Sequence, residues 1–213
     1  MRYSSHMIDS GRHQPSGLWS LVLAAGGSSR LGTPKQLLQI HAQPLLCRAI
    51  MAAENNTPNR VLVVLGAHAL KLRLLLRRRH PNVYTITNTN WPRGMASSLT
   101  VGLSALPTRA HAALLILSDQ PGVNAQSLRR LVHAWSIRPG RMVAAHYEGR
   151  SGAPAVIPRK LWATAKKLTG DVGARHLLRD GDVSSIIVPM PEAVFDVDTE
   201  QDQARLANRD FRR

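Results

Sequence analysis

The sequence predicts an α/β domain, a mostly parallel sheet with helices on both faces. Apolar runs of strand length alternate with amphipathic stretches of helix length along the chain. Runs such as RVLVVLG (Arg60 to Gly66) and AALLILSDQP (Ala112 to Pro121) are apolar enough for strands buried on both faces. At 213 residues the chain suits one domain with a sizeable core, assigned here to residues 18–213.

The elements follow in order. Ser20 to Ala24 is the first strand. Pro44 to Asn55 is a helix, with proline in its first turn and the turn cluster NNTPN at its end. Arg60 to Gly66 is a strand, Ala67 to Arg79 a helix and Asn82 to Asn88 a third strand. Gly94 to Leu106 is helical and is stopped by Pro107. Ala112 to Pro121 is the strongest strand, and Asn124 caps the helix after it. Met142 to Tyr147 and Ala153 to Pro158 read as strands around a glycine-containing connection, Glu148 to Gly152. Short helices are expected over Arg159 to Leu168 and Val172 to Leu178. SSIIVPM and VFDVDT supply strand pieces, and Glu200 to Asn208 is the last helix.

Composition narrows the function classes. Aromatic residues make up only 4% of the chain, so the core is aliphatic and stacking platforms for single-stranded bases are scarce. Cys47 is the only cysteine, which excludes an internal disulfide and a zinc knuckle and fits the reducing cytoplasm. Residues 1–17 are polar, lack the apolar region of a secretory signal, and read as a disordered leader. No run is long and apolar enough to span a membrane. The formal charge of +15 favours anionic partners. Its one dense run, KLRLLLRRRH (Lys71 to His80), reads as the solvated face of a helix, and a nucleic-acid partner is disfavoured.

In open α/β sheets ligands bind beyond the carboxyl ends of the strands, so polar groups there are candidates. The stretch LVLAAGGSSRLGTPKQLL (Leu21 to Leu38) follows the first strand. It lacks the G-x-G-x-x-G pattern; Gly27 to Gly32 has P-loop spacing, but Thr33-Pro34 stands where Lys-Ser/Thr is required. What remains is a glycine turn whose N–H groups can converge on anionic oxygens, with Arg30 and Lys35 as charge, or else a tight strand exit with two surface cations. Asp119 ends the strongest strand, as a turn cap or a metal ligand. Asp198 follows another strand-like piece, with Asp196 alternating to the same face; Asp198 is alternatively the N-cap of the last helix, with Asp202 in its first turn. Together the three sets supply donors for phosphate oxygens and the one or two carboxylates through which magnesium is usually held beside phosphates.

These residues carry a resemblance. LAAGGSSRLGTPKQLL (Leu23 to Leu38), NTNWPRGMASSLTVGL (Asn88 to Leu103), SDQP (Ser118 to Pro121), GAPAVIPRKLW (Gly152 to Trp162), GDVGARHLL (Gly170 to Leu178) and DVDT (Asp196 to Thr199) resemble, in order and spacing, the MobA-like nucleotidyltransferases, especially their molybdenum cofactor cytidylyltransferase branch. The pieces span about Leu21 to Leu206. The resemblance implies a three-layer Rossmann-like nucleotide-diphospho-sugar transferase fold. It also implies a reaction in which a substrate phosphate attacks the α-phosphorus of an NTP and expels pyrophosphate. It implies that Ala24, Ala25, Gly26, Gly27, Ser28 and Ser29 wrap the nucleotide, that Arg30 and Lys35 neutralise its phosphates, and that Asp119 and Asp198 hold Mg²⁺. Gly94, Met95, Ser97 and Ser98 become candidate nucleotide contacts, with helix capping as the other reading of the two serines. Gly152, Asp171, Gly173 and Arg175 would face the second substrate. Ala153 departs from the polar residue many relatives carry there.

LAAG in place of LAGG is a likeness to the cytidine branch, so the resemblance implies CTP as the nucleotide and molybdopterin cofactor as the acceptor. A guanylyltransferase on the same cofactor and a nucleotidyltransferase on a sugar phosphate or other small phosphate ester are the enzymatic alternatives. A basic nucleic-acid or partner-protein binding module is the non-enzymatic one. A transient complex with a molybdenum hydroxylase is the expected partner, since an unstable cofactor is better handed on than released.

Overall fold

The computed structural model describes residues 17–178 and 185–208. The expected leader lies outside them but for Gly17, whose carbonyl accepts the His111 amide at 2.7 Å.

The chain runs β1 (Leu18–Ala24), β2 (Gln39–Ile40), β3 (Gln43–Pro44), α1 (Leu45–Glu54), β4 (Val61–Leu65), α2 (Ala69–Arg79), β5 (Tyr84–Thr87), α3 (Met95–Ala105), β6 (Ala112–Leu117), α4 (Ala125–Ile137), β7 (Val143–Tyr147), β8 (Arg150–Pro158), α5 (Trp162–Ala165), β9 (Ile186–Pro189) and α6 (Glu200–Asn208). Seven strands form one sheet in the order β5-β4-β1-β6-β8-β7-β9, and only β8 is antiparallel to its neighbours. Strands β1 and β4 are buried at every residue; β4 is an unbroken apolar run, and β1 is interrupted only by Ser20. Their odd and even residues enter two separate cores. Leu18, Val22, Val63 and Leu65 pack with α1, α2 and α4; Leu21, Leu23, Leu62 and Val64 pack with α3 and α5. The predicted three-layer α/β fold is therefore the observed one. At roughly 2 kcal/mol per buried leucine-sized side chain, both layers are needed to offset the entropy of ordering the chain. Ser20, buried within β1, bonds the Thr57 hydroxyl at 2.6 Å.

Several expectations are corrected. VFDVDT is not a strand: beyond a 3₁₀ turn over Pro191–Val194 the chain pairs with no strand edge, because the Val197 amide donates to the Asp119 carbonyl. Asp198 does not cap α6. Thr199 does, accepting the Asp202 amide while the Asp202 carboxylate accepts the Thr199 amide, a capping box worth about 1 kcal/mol. The β7–β8 connection is only Glu148-Gly149, both with positive φ as a two-residue hairpin turn demands, so Gly152 lies inside β8. Strand β6 ends at Leu117 rather than Pro121. The helix expected over Arg159 to Leu168 is a 3₁₀ turn followed by the four-residue α5, and Val172 to Leu178 contains only a 3₁₀ turn, Ala174–Leu178. Asn124 caps α4 as predicted, accepting the Gln126 and Ser127 amides, each at 3.0 Å.

Candidate functional site

The direction of the sheet sets the place of the site. From β1 the chain turns to β4 and β5 on one side and then to β6 on the other, so the loops leaving β1 and β6 diverge and leave a crevice at the strand ends. A cleft of about 360 Å³ opens there.

Its first wall is the loop after β1. The Ala24 and Gly26 carbonyls accept from the buried Gln36 amide at 3.4 and 3.0 Å. The Ala25 carbonyl accepts the Ala67 amide at 3.1 Å, and the Gly27 carbonyl lies 3.2 Å from His68 Nε2. Ser28 holds φ at 54°, its carbonyl accepts the Leu31 amide, and its hydroxyl oxygen accepts the amide of Lys35. The carbonyls of Ala24, Ala25, Gly26, Gly27 and Ser28 are thus occupied. Among the described residues the N–H groups of Gly26, Gly27, Ser28 and Ser29 have no acceptor. A loop with satisfied carbonyls and free amides is a concave donor surface for anionic oxygens.

The second wall is the start of α3. Gly94 has φ of 97°, and the 170–171 backbone crosses so closely that a Cβ on Gly94 would lie 2.4 Å from the Gly170 carbonyl carbon. The Ala96 amide donates to the Gly170 carbonyl, and the Met95 amide to the Asp171 carboxylate at 3.3 Å. Trp91 covers Gly27, where a Cβ would meet its ring at 2.9 Å. Ser97 and Ser98 do not cap amides: both hydroxyls accept from the Asn88 side chain, at 2.9 and 3.0 Å, and Ser97 donates on to the Gly94 carbonyl.

The floor carries the charge. Lys35 Nζ donates to Asp119 Oδ2 at 2.5 Å and to Asp198 Oδ1 at 2.6 Å, joining a loop after β1 to two acids over eighty and over one hundred and sixty residues away. Burial alone would lower the pKa of this ammonium; the Asp119 and Asp198 charges and hydrogen bonds outweigh it and hold the pKa above the usual lysine value. Asp119 Oδ1 is buried and has no hydrogen-bond partner among the described residues, so one oxygen of the acid remains available. Beside it, burial pushes the Asp196 carboxyl up to about 7, helped by the Asp119 and Asp198 charges and opposed by Gln120 and Arg150.

Of the residues singled out from sequence, Ala24, Ala25, Gly26, Gly27, Ser29, Lys35, Gly94, Met95, Ser98, Asp119 and Asp171 line the cleft. Asp198 reaches it through Lys35. Ser28 and Ser97 brace its walls. Arg30 is exposed on the loop and does not line the cleft. Gly152, Gly173 and Arg175 lie outside the lining: Gly152 sits next to the Tyr147 hydroxyl and the exposed Arg175, and Gly173 against the Met95 sulfur. Sequence reasoning missed Gln36, Asn88 and Trp91. A glutamine beside an invoked lysine, an asparagine ending a strand, and one of four tryptophans in an aromatic-poor chain were the available signals.

Comparison with known proteins relates the chain to a family. A model of the MobA-like NTP transferase domain matches residues 20–185. The molybdenum cofactor cytidylyltransferase of Escherichia coli K12 is 25% identical over 85% of this chain and 91% of its own. A probable molybdenum cofactor guanylyltransferase of Rhodopirellula baltica is 29% identical over 62% of each chain. Among solved structures, Rv0371c of Mycobacterium tuberculosis H37Rv superposes with a TM-score of 0.77 at 29% identity, covering 92% of this chain and 100% of that one. A manganese complex of Rv0371c gives 0.73 at 26% identity over 91% and 99%.

Proposed function

The chain belongs to the MobA-like NTP transferase family, and from that premise we propose that it is a Mg²⁺-dependent cytidylyltransferase that moves CMP from CTP to the phosphate of molybdopterin cofactor, releasing pyrophosphate. The observation that carries the reading is the junction of Lys35 with Asp119 and Asp198 directly below a loop of free amides.

The chemistry follows from where the charge gathers. In nucleotidyl transfer the negative charge spreads over oxygens around an in-line phosphorus, so catalysis is positioning and electrostatic stabilisation. The amides of Gly26, Gly27, Ser28 and Ser29 bind triphosphate oxygens, and Lys35, kept protonated by its acids, neutralises charge that develops toward the leaving pyrophosphate. Arg30 swings in from the exposed face of the loop to join it. Met95, its amide on Asp171, and Ser98, held by Asn88, flank the nucleoside, and Trp91 closes the loop side against water. Gly152, Asp171, Gly173 and Arg175 lie toward the acceptor, and Arg175 takes its phosphate.

The donor set fits a hard divalent cation: carboxylate oxygens from the turn after β6 and from the segment docked on it, one of them the buried, unpartnered Asp119 Oδ1. Asp119 and Asp198 would hold it, and when bound it polarises phosphate oxygens. The manganese complex of Rv0371c is consistent with a divalent ion in this family.

The test is pyrophosphate release with each NTP, with and without the cofactor. Turnover of CTP that depends on the cofactor supports the reading. Preference for GTP, the direction of the Rhodopirellula relative, makes the enzyme a guanylyltransferase, and turnover with a sugar phosphate alone moves the acceptor. Absence of turnover with every pair, together with nucleic-acid binding that survives Asp119→Ala, favours a binding module. Co-purification with a molybdenum hydroxylase under mild crosslinking tests the expected hand-over.

A further inference from the structure

Acid residues are distributed unevenly along the chain. From Asn55 to Ser118 there is no Asp or Glu, while Arg60, Lys71, Arg73, Arg77, Arg78, Arg79, Arg93 and Arg109 all fall there. This stretch builds β4, α2, β5, α3 and β6, and its densest charge is on α2, beside the edge strand β5. Among the described residues no cation of α2 is ion-paired with a carboxylate; His80, just past the helix end, is paired with Glu54 at 3.2 Å.

Helix α2 buries only Leu72 and Leu76 fully. Leu70 and Leu74, four residues apart and so on one line of the helix, are 73% and 50% exposed. Lys71, Arg77 and Arg78 are exposed around them. On the flank toward β5, Arg73, Arg77 and His80 line an open recess of about 380 Å³ with Pro81, Val83 and Thr85. The solvated face expected from sequence therefore combines two bare leucines, a ring of cations and a cationic recess.

We propose that this face of α2 docks an acidic amphipathic helix of a partner protein, with apolar side chains over Leu70 and Leu74 and a carboxylate in the Arg73–Arg77–His80 recess. Charge complementarity fixes the sign of the occupant, since a single-sign patch steers and selects an opposite one. The leucines fix its class. A phosphodiester backbone gains nothing from two exposed leucines, and the line carries no aromatic side chain on which a base could stack. A membrane is disfavoured because the apolar side of α2 is spent on the sheet, leaving only two leucines to insert. At eleven residues the helix offers about 16 Å of length, enough for one facing helix and a transient contact. The helix starts at the nucleotide loop, where His68 meets the Gly27 carbonyl, so the occupant sits beside the mouth of the cleft.

The experiment uses the full chain and a fluorescent synthetic helix of glutamates with leucines four apart, read by anisotropy. Poly-L-glutamate, a short DNA duplex and phosphatidylserine vesicles are the comparison probes. The synthetic helix is expected to bind more tightly than the duplex and the vesicles. Arg77→Glu with Arg78→Glu should weaken it by about tenfold or more, and raising salt should act in the same direction. Leu70→Ser with Leu74→Ser, which removes the apolar contact without adding charge, should weaken the synthetic helix but leave poly-L-glutamate unchanged. Circular dichroism and nucleotide-induced thermal stabilisation should match wild type in all variants, since these side chains are exposed. No binding of the synthetic helix overturns the proposal. So does indifference to both pairs of substitutions, or tighter binding of the duplex or vesicles with no effect of the leucine changes.

Discussion

The amide of Val197 donates to the carbonyl of Asp119 at 3.0 Å, and this one backbone bond brings Asp198 alongside Asp119. It explains why two acids 79 positions apart in sequence share one lysine. The segment that carries Asp198 is attached to the end of β6 rather than to a strand of its own.

The first prediction concerns that lysine. Lys35→Ala leaves Asp119 and Asp198 facing each other with no cation between them and removes the charge nearest the loop amides. Loss of one preorganised charge of this kind costs about 10²–10³ in rate, and kcat/KM in a pyrophosphate-release assay should fall by that much. Lys35→Arg should not restore it, because a planar guanidinium cannot place one compact charge between two carboxylates only 2.5 and 2.6 Å from the ammonium. Wild-type rates in the alanine variant would remove Lys35 from the mechanism.

The second concerns the cation. Manganese or magnesium should raise the thermal midpoint of the protein, more so with CTP present, because a ligand that binds only the native state stabilises it by mass action. Asp119→Asn keeps the shape but removes the charge and should abolish the metal-dependent shift. An unchanged shift in that variant would place the metal elsewhere.

How much of this was legible beforehand divides along local and distant interactions. The strands and longer helices follow from apolar periodicity and caps, and Asn124 was found because its capping partners, the Gln126 and Ser127 amides, are two and three residues away. The VFDVDT segment has the alternation of a strand, yet its competing partner is the Asp119 carbonyl, which no local pattern reveals. Thr199 and Asp202 form a capping box that the spacing T-x-x-D offers, whereas from sequence only Asp198 is weighed for the N-cap, as the alternative to a metal ligand. Asn88, Gln36 and Trp91 act by bracing other residues, and bracing is a tertiary relationship invisible in a window of sequence.

The third prediction concerns Gly94. Its φ of 97° lies in the region L side chains avoid, and a Cβ would press on the Gly170 carbonyl. Gly94→Ala should cost about 1–3 kcal/mol from the backbone alone and more from the contact, read as a lower midpoint in urea. Because the clash pushes the 170–171 segment off α3, the KM for the acceptor should rise as well. A midpoint equal to wild type would show that the segment gives way freely.

The fourth follows from Asn88, whose side chain is 2% exposed as a residue and bridges the Ser97 and Ser98 hydroxyls. Asn88→Ala leaves Ser98, itself buried, without its donor and should cost about 1–3 kcal/mol. Asn88→Asp is expected to be worse at neutral pH, since a buried carboxylate can only accept from those hydroxyls and carries a charge with no cation paired to it. Nucleotide affinity should weaken in both, measured by thermal shift, because the wall that holds Met95 and Ser98 loosens.

The fifth uses Cys47, a buried thiol on α1. Burial pushes its pKa above the ordinary thiol value, opposed in part by the Arg79 charge. The sign follows from linkage: the folded state keeps the proton that the unfolded chain releases, so this contribution to stability is full below the unfolded thiol pKa and is lost as pH rises through the folded one. In the folded protein the thiolate is both scarce and inaccessible, so iodoacetamide at mildly alkaline pH should label Cys47 only at the rate of opening, and denaturant should accelerate labelling in step with unfolding. Cys47→Ser replaces the thiol with a hydroxyl that does not titrate in this range. Stability measured from neutral to strongly alkaline pH should therefore fall less steeply in the serine variant than in wild type, even though its neutral-pH stability is lower from burying a hydroxyl. Equal slopes would mean that the thiol is reached by water and ionises in the folded state as it does in the unfolded one.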